Sequence, residues 1–114
     1  MLAEENRLKK KKDFEKVFKQ GKSFRSEFLS AREAKNGLDA SRFGFAVSLK
    51  VSKKAVARNK IRRRMREIVK KNISSFKKGR DIILIARPGL EKKDFAGTEE
   101  VLEDFFKKSG LTGN

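Results

Sequence analysis

The chain has 114 residues and a mass of 13.1 kDa, with 31 Lys or Arg residues against 15 Asp or Glu residues and a formal net charge of +16. It contains no Cys and no His, which excludes disulfides, thiolate metal sites, Cys or His nucleophiles and imidazole acid–base chemistry. The length predicts a single domain, residues 1–114, and the charge predicts a polyanionic partner.

The first twelve residues predict a basic, flexible arm. They are polar, include four consecutive lysines at positions 9–12, and contain no apolar stretch that would serve as a signal peptide or membrane span. We therefore expect a cytoplasmic protein with no membrane partner.

A short first helix should follow this arm. The pattern predicts Asp13 as the N-cap, and Phe14, Val17 and Phe18 have the i, i+3, i+4 spacing of an apolar stripe that Gly21 ends after about two turns. From spacing alone, the two phenylalanines are ordinary core residues.

Strand character follows over residues 22–35, where Phe24, Phe28 and Ser30 are separated by even steps and Arg32 continues the same parity. One face of this segment is therefore predicted to be partly polar. Such a face is typical of a surface that is wet or covered by a ligand.

A turn signal, Asn36-Gly37, separates this segment from the next predicted strand, residues 42–49. Alternation places Phe43, Phe45 and Val47 on one face of that strand. Gly44 would leave space on the other face.

Residues 55–72 predict the helix around which the chain is organised. Between positions 50 and 80 there are 14 Lys or Arg residues and a single acid, Glu67. On a helical wheel, one sector about 120° wide is apolar and a neighbouring sector about 100° wide is polar and basic. The apolar sector contains Ala57, Ile61, Met65, Ile68 and Val69, and the basic sector contains Asn59, Arg62, Arg63, Arg66 and Lys70.

This distribution favours a polyanion-binding face over an ordinary solvated one. Solvated helices usually alternate charge signs at i,i+4, whereas this helix stacks like charges that repel one another. Arginine is also the commonest residue of the basic sector, and a guanidinium can bind two phosphate oxygens at once. The preceding loop, residues 50–54, adds three lysines next to the unpaired N–H groups of the helix start, so we expect phosphates there as well.

The C-terminal third predicts one strand and one helix. Residues 82–86 are a continuous apolar run, typical of a strand buried on both faces, and Pro88 ends it. Residues 98–108 predict an amphipathic helix that covers the sheet, with an apolar stripe made of Val101, Leu102, Phe105 and Phe106. Because residues 91–106 contain six acids and two lysines, this end should repel RNA, and residues 109–114 should form a loose tail.

Three segments of the chain resemble the bacterial ribonuclease P protein family, in family order and over residues 7–108. The helix start Arg58-Asn59-Lys60, followed by Ile61, Arg62, Arg63 and Arg66-Glu67, resembles the signature helix of the family. The N-terminal resemblance rests on Arg7-Leu8, Asp13-Phe14, Val17-Phe18 and Gly21, and residues 81–87 resemble the last strand. Lys60 stands where the family usually has arginine. Lysine keeps the positive charge but cannot bind two phosphate oxygens as a planar guanidinium does.

The resemblance implies both a fold and a function. The fold is α+β, a single two-layer domain whose mixed sheet of about four strands and three helices follow the order α-β-β-β-α-β-α, with a possible left-handed β-α-β crossover. The implied partners are ribonuclease P RNA and precursor tRNA, without an obligate protein partner. The RNA and its Mg2+ ions would cut the precursor, and the protein itself would carry no catalytic residue and no metal site.

The resemblance and the helical wheel together predict two sets of RNA-contacting residues. The set for the catalytic RNA contains Lys50, Lys53, Lys54, Arg58, Asn59, Lys60, Arg62, Arg63 and Arg66. The set for the single-stranded 5′ leader of precursor tRNA contains Phe14, Phe18, Phe28 and Arg32. The chain has no tyrosine, so a hydroxyl contact that the family often makes from the strand of Phe28 is absent.

Two alternatives from other classes remain open at this point, and catalysis by the protein itself is disfavoured. A ribosomal or general RNA-chaperone protein would share the basic helix and the small mixed sheet. A DNA-binding helix is less favoured, because groove-reading helices mix Asn, Gln or Ser with Arg and only Asn59 fits that pattern. A metal-dependent nuclease would need paired carboxylates, and the candidates Asp39, Asp81 and Asp94 are not paired on the basic part of the chain.

Overall fold

The computed structural model describes residues 2–112, which form three α-helices and a four-stranded sheet. The helices are α1 (Lys11–Gln20), α2 (Ala55–Lys71) and α3 (Phe95–Ser109). The strands are β1 (Lys22–Arg25), β2 (Leu29–Lys35), β3 (Arg42–Val47) and β4 (Arg80–Ala86). Their order, α-β-β-β-α-β-α, confirms the predicted α+β class, and no helix within this range is long and apolar enough to cross a membrane.

The sheet has the strand order β1-β2-β4-β3, and its pairing is mixed. β2 pairs antiparallel with both β1 and β4, whereas β3 pairs parallel with β4 across the α2 connection. Both faces of β4 are covered, with Ile82 and Leu84 in one apolar cluster and Ile83 in another, so all three are fully buried, as the apolar run predicts. The left-handed crossover implied by the family stays a prediction.

Helices pack on both faces of the sheet rather than on one side of a two-layer domain. α2 and α3 cover the face that carries Phe43, Leu29 and Leu84, and together they build the main core. Four of the five residues in the apolar sector of α2 are buried as predicted, with Met65, Ile68 and Val69 fully enclosed and Ile61 nearly so, while Ala57 is partly buried. α1 lies on the opposite face, over a smaller apolar cluster that includes Val17 and Ile83.

Gly44 allows α1 to approach the sheet closely. A Cβ atom at this position would lie 2.5 Å from Cε1 of the Phe14 ring, which is inside van der Waals contact. The alternation along β3 predicts that Gly44 leaves space on this face. The ring of Phe14 fills that space.

We expect Gly44→Ala to destabilise the protein by about 1 to 3 kcal/mol, because the added methyl group overpacks a site with no free volume. Urea denaturation followed by circular dichroism would measure the loss. The double variant Gly44→Ala with Phe14→Leu removes the clashing ring atoms and should recover part of it. A Gly44→Ala protein as stable as the unaltered one would contradict the close packing of α1.

The N-terminal segment differs from the predicted flexible arm. Leu2 and Leu8 are both buried, and the Leu8 N–H donates a 2.9 Å hydrogen bond to the Phe43 carbonyl at the edge of β3. α1 also begins at Lys11, so Asp13 lies in the first turn of the helix instead of capping it. Burial of the two leucines outweighs the repulsion among the lysines, which remain exposed.

The predicted strand over residues 22–35 is in fact a hairpin of two strands. At the reversal, the Ser26 N–H and hydroxyl both donate to the Leu29 carbonyl, at 2.8 and 3.1 Å. The turn resets the side-chain alternation, so Phe24 pairs with Ala31 on the main-core face. Ser30 and Arg32 lie on the opposite face. The prediction that Phe24 and Phe28 share a face with them, which assumed one continuous strand, is therefore wrong.

The C-terminal end is also more ordered than the tail predicted over 109–114. α3 begins at Phe95, where the Asp94 carboxylate accepts a 2.8 Å hydrogen bond from the Gly97 N–H, and ends at Ser109, with Gly110 as its C-cap at φ +74°. The left-handed glycine turns the chain back, so Leu111 is fully buried and Thr112 pairs with Phe76. Residues 113–114 lie outside the described range.

Candidate nucleic-acid interface

The basic sector of α2 faces away from the core because the apolar sector is buried. Asn59, Lys60 and Arg63 are exposed, and Arg62 and Arg66 are partly so. Arg62 donates from Nη1 to the Asn59 Oδ1, and the Arg66 guanidinium lies 5.8 Å from the centroid of the Phe45 ring. These contacts orient the two guanidinium groups, so that less side-chain entropy is lost when they bind an anion.

Two further arginines of α2 make contacts that shape the neighbouring backbone. Arg58 donates from Nη1 to the Ser52 carbonyl at 3.0 Å and so fixes the loop before the helix. Arg64 donates from Nη1 to the Lys93 carbonyl at 3.0 Å, next to the start of α3. Arg58 therefore combines its predicted RNA-binding role with a structural one, whereas Arg64, outside the predicted set, ties α2 to the segment before α3.

The lysines of the 50–54 loop separate into two places. Lys53 and Lys54 are exposed immediately before α2, where the Lys54 N–H bonds the Ser52 hydroxyl at 3.2 Å. Lys50 instead reaches the other face of the sheet, beside Phe18 and Arg32. The loop thus links the basic sector of α2 with the α1 face of the sheet.

A groove of about 390 Å³ lies beside α1 on that face, and we call it the α1 groove. It is bordered by the end of α1, by β1 and β2, and by the chain after β3 and β4. Its polar and aromatic lining consists of Phe18, Ser23, Arg25, Ser30, Arg32, Ser48, Lys50 and Arg87. Four cations and three hydroxyl groups around one aromatic ring suit a phosphodiester chain with exposed bases.

Phe18 and Arg32 form the aromatic wall of the α1 groove. The Phe18 side chain is 42% exposed, although it sits on a packed helix. The Arg32 guanidinium lies 5.9 Å from the centroid of the Phe18 ring and donates from Nη2 to the Phe18 carbonyl. An exposed ring held in place by a cation can stack with a base.

The other two phenylalanines of the predicted leader set lie elsewhere. Phe14 packs over Gly44, between α1 and the sheet. Phe28 lies on the main-core side, where the Lys93 ammonium is 4.6 Å from its ring centroid, and it borders a separate cavity of about 520 Å³ next to α3. Of the predicted leader set, the structure therefore brings only Phe18 and Arg32 together in the α1 groove. Phe14 is packed between α1 and the sheet, and Phe28 lies away from the groove.

The comparison with known sequences decides the family. Residues 2–110 match the family model for ribonuclease P. The chain belongs to the ribonuclease P protein family. It is thus a protein component of the RNA-based enzyme that processes the 5′ end of tRNA, and its partner is ribonuclease P RNA.

Relatives of known sequence and structure agree along nearly the whole chain. The ribonuclease P protein component of Syntrophomonas wolfei is 37% identical over 111 residues, which cover 97% of this chain and 92% of that protein. The Thermotoga maritima component is 41% identical over 106 residues, 90% of each chain. The Staphylococcus aureus ribonuclease P protein superimposes with a TM-score of 0.86 at 32% identity, covering 95% of this chain and 98% of its own.

Two basic residues of the α1 groove were missed by the sequence reasoning. Arg25 lies on β1 opposite Ser30, and Arg87 follows β4 and donates from Nη1 to the Ser26 carbonyl. Alternation along β1 would have placed Arg25 beside Arg32, but only once the hairpin register is known. Arg87 is the last residue of the segment that resembles the last strand of the family. That resemblance was the sequence feature from which Arg87 could have been predicted as a site residue.

The carboxylates considered for a metal-dependent nuclease have structural partners or lie apart. Asp81 is buried and accepts hydrogen bonds from the Arg42 guanidinium at 2.8 and 2.6 Å, which raise the pKa of Arg42 above its ordinary value. Asp94 caps α3, and Asp39 lies in the exposed 36–40 loop. Within residues 2–112, no three His, Cys, Asp or Glu side chains group closely enough to hold a metal ion.

Proposed function

We propose that this protein holds two parts of the ribonuclease P reaction together, the catalytic RNA on α2 and the 5′ leader of precursor tRNA in the α1 groove. The observation that carries the proposal is the position of the two basic surfaces on opposite faces of one small sheet, linked by the 48–54 segment. An RNA on α2 and a single strand in the groove can then be bound at once without competing for the same side chains.

On α2, the binding groups are the outward guanidinium and ammonium groups, with Lys53, Lys54 and Arg58 at the helix start. Each contact replaces condensed counterions on the RNA, and their release supplies affinity that falls as salt rises. Over the described part of the chain, the five ion pairs formed by Lys9, Arg42, Lys71 and Lys108 lie outside this set.

In the α1 groove, the leader would lie extended with its phosphates toward Arg25, Arg32, Lys50 and Arg87. One unpaired base would stack on Phe18, which is worth roughly 1 to 3 kcal/mol. Duplex RNA keeps its bases inside the helix, so the groove should favour the single-stranded leader over the mature tRNA body.

The metal in this scheme belongs to the RNA. Magnesium ions held by the catalytic RNA would activate water and stabilise the leaving oxygen. The protein would lower the magnesium requirement by neutralising phosphates near the cleavage site. We place this activity in the cytoplasm.

The test is cleavage of a 5′-labelled precursor tRNA by a bacterial ribonuclease P RNA at low magnesium, with and without the protein. We expect the protein to restore cleavage at the correct site and to give no cleavage when the RNA is left out. Tight RNA binding without stimulation would contradict the proposal and would favour a general RNA-binding role.

A further inference from the structure

A buried charge cluster lies at the end of the sheet farther from the α1 groove. The Asp81 side chain is only 6% exposed, and its two oxygens accept from Nε and Nη2 of Arg42. The Asn36 amide donates to the same carboxylate at 2.9 Å and to the Ala40 carbonyl at 3.0 Å. A bidentate fork with a third donor fixes the guanidinium plane relative to β3 and β4.

The remaining terminal nitrogen of Arg42 reaches α1. Its Nη1 lies 3.4 Å from Oδ2 of Asp13, in the first turn of that helix, and both side chains are mostly buried at 23% and 19% exposure. The sheet therefore holds α1 through a group whose own position is already determined by Asp81. Such an ion pair is less screened by salt than one on the open surface.

The rest of the contact between α1 and the sheet is small. Apart from Phe14 over Gly44, it consists of the apolar cluster around Leu8, Val17 and Ile83 and of the contacts that Arg32 makes with Phe18. Phe18 lies five residues beyond Asp13, at the end of the helix that borders the α1 groove. A shift at the Asp13 end would therefore move the Phe18 wall relative to Arg32 on β2.

We propose that Asp13 and Arg42, oriented by Asp81, are positioning residues that set where α1 lies and hence the width of the α1 groove. This inference rests on the proposed function, since the groove must bind the leader for its width to matter. Asp13 touches no RNA in this scheme. It acts through Phe18, and removing its charge should weaken leader binding without affecting the basic sector of α2.

The experiment compares Asp13→Asn, Asp13→Glu and Glu15→Gln in the reconstituted holoenzyme. Glu15 is exposed on the same helix, so Glu15→Gln makes the same charge change without touching Arg42. The readout is affinity for precursor tRNA with a leader, for mature tRNA, and for the catalytic RNA. We expect Asp13→Asn to weaken only leader-dependent binding, by roughly threefold to tenfold, and Asp13→Glu to restore most of it.

A second measurement reports on the helix directly. Amide hydrogen exchange in the free protein should quicken in α1 for Asp13→Asn and stay unchanged in β4, because only the attachment of the helix is weakened. Equal losses for precursor and mature tRNA would show a merely structural role and overturn the inference. So would an Asp13→Asn protein with full leader binding, or an equal loss in Glu15→Gln.

The unaltered holoenzyme separates this inference from the function on which it rests. If it binds precursor and mature tRNA equally, the leader role of the groove fails and the positioning role falls with it. If it prefers the precursor and Asp13→Asn keeps that preference, only the positioning role is overturned.

Discussion

Replacing Arg62 and Arg66 together by alanine should weaken binding of the catalytic RNA by roughly 100-fold at moderate salt. Two charge-assisted contacts at about 1.5 kcal/mol each give a loss of this size. The slope of log affinity against log salt should also fall by about two, since two phosphate contacts are removed. Filter binding over a salt series would measure both quantities.

The structure shows why this change should spare the fold. Both arginines belong to the outward sector of α2, and alanine is the strongest helix former, so the helix should persist. The structural contacts that are lost are the hydrogen bond from Arg62 to Asn59 and the approach of Arg66 to the Phe45 ring, both on the surface of the helix. Circular dichroism would verify folding of the double variant.

A matched control distinguishes a local contact from a general effect of charge. Lys92 and Lys107 are exposed on the side of the molecule that carries α3. Their double alanine variant lowers the net charge by the same amount but should change RNA affinity little. If both double variants lose affinity equally, α2 is not the binding face.

Replacing Phe18 by alanine should weaken binding of precursor tRNA by roughly 5- to 150-fold and leave mature tRNA binding unchanged. The loss corresponds to one base stack of about 1 to 3 kcal/mol. Because the ring is 42% exposed, little core packing is lost and the protein should stay folded. Competition between precursor and mature tRNA for the holoenzyme would measure the effect.

Phe95 provides the control for this prediction. Its side chain is 40% exposed, close to the value for Phe18, but it lies at the start of α3, which packs on the other face of the sheet. Phe95→Ala should therefore leave both tRNA affinities unchanged. An equal loss for precursor and mature tRNA in Phe18→Ala would make Phe18 a structural residue.

The strongest structural predictions came from segments with a local repeat. The i,i+3,i+4 pattern from Ala57 to Val69 gave both the buried stripe of α2 and its basic outer sector. The apolar run at 82–86 gave the central strand β4, and the residues that resemble the family gave the order of elements. These features depend on neighbours within one or two turns, so the sequence alone determines them.

The tertiary structure decided what depends on pairing between distant residues. The reversal at Ser26 set the register between β1 and β2, brought Arg25 and Arg32 to the same groove and placed Phe28 beside α3. Burial of Leu2 in the main core and of Leu8 in the cluster with Val17 drew the predicted arm onto the sheet, because both sites exist only after the helices have packed on the sheet.

The Asp13, Arg42 and Asp81 cluster shows the same limit most clearly. Arg42 is 29 residues from Asp13 and 39 residues from Asp81 along the chain. In the sequence, nothing distinguishes any of the three from an ordinary charged surface residue. Sequence periodicity reports which face of an element is buried, whereas strand register and loop closure determine which faces meet. The basic helix was therefore visible from the sequence, but the groove and its support became visible only when the chain was folded.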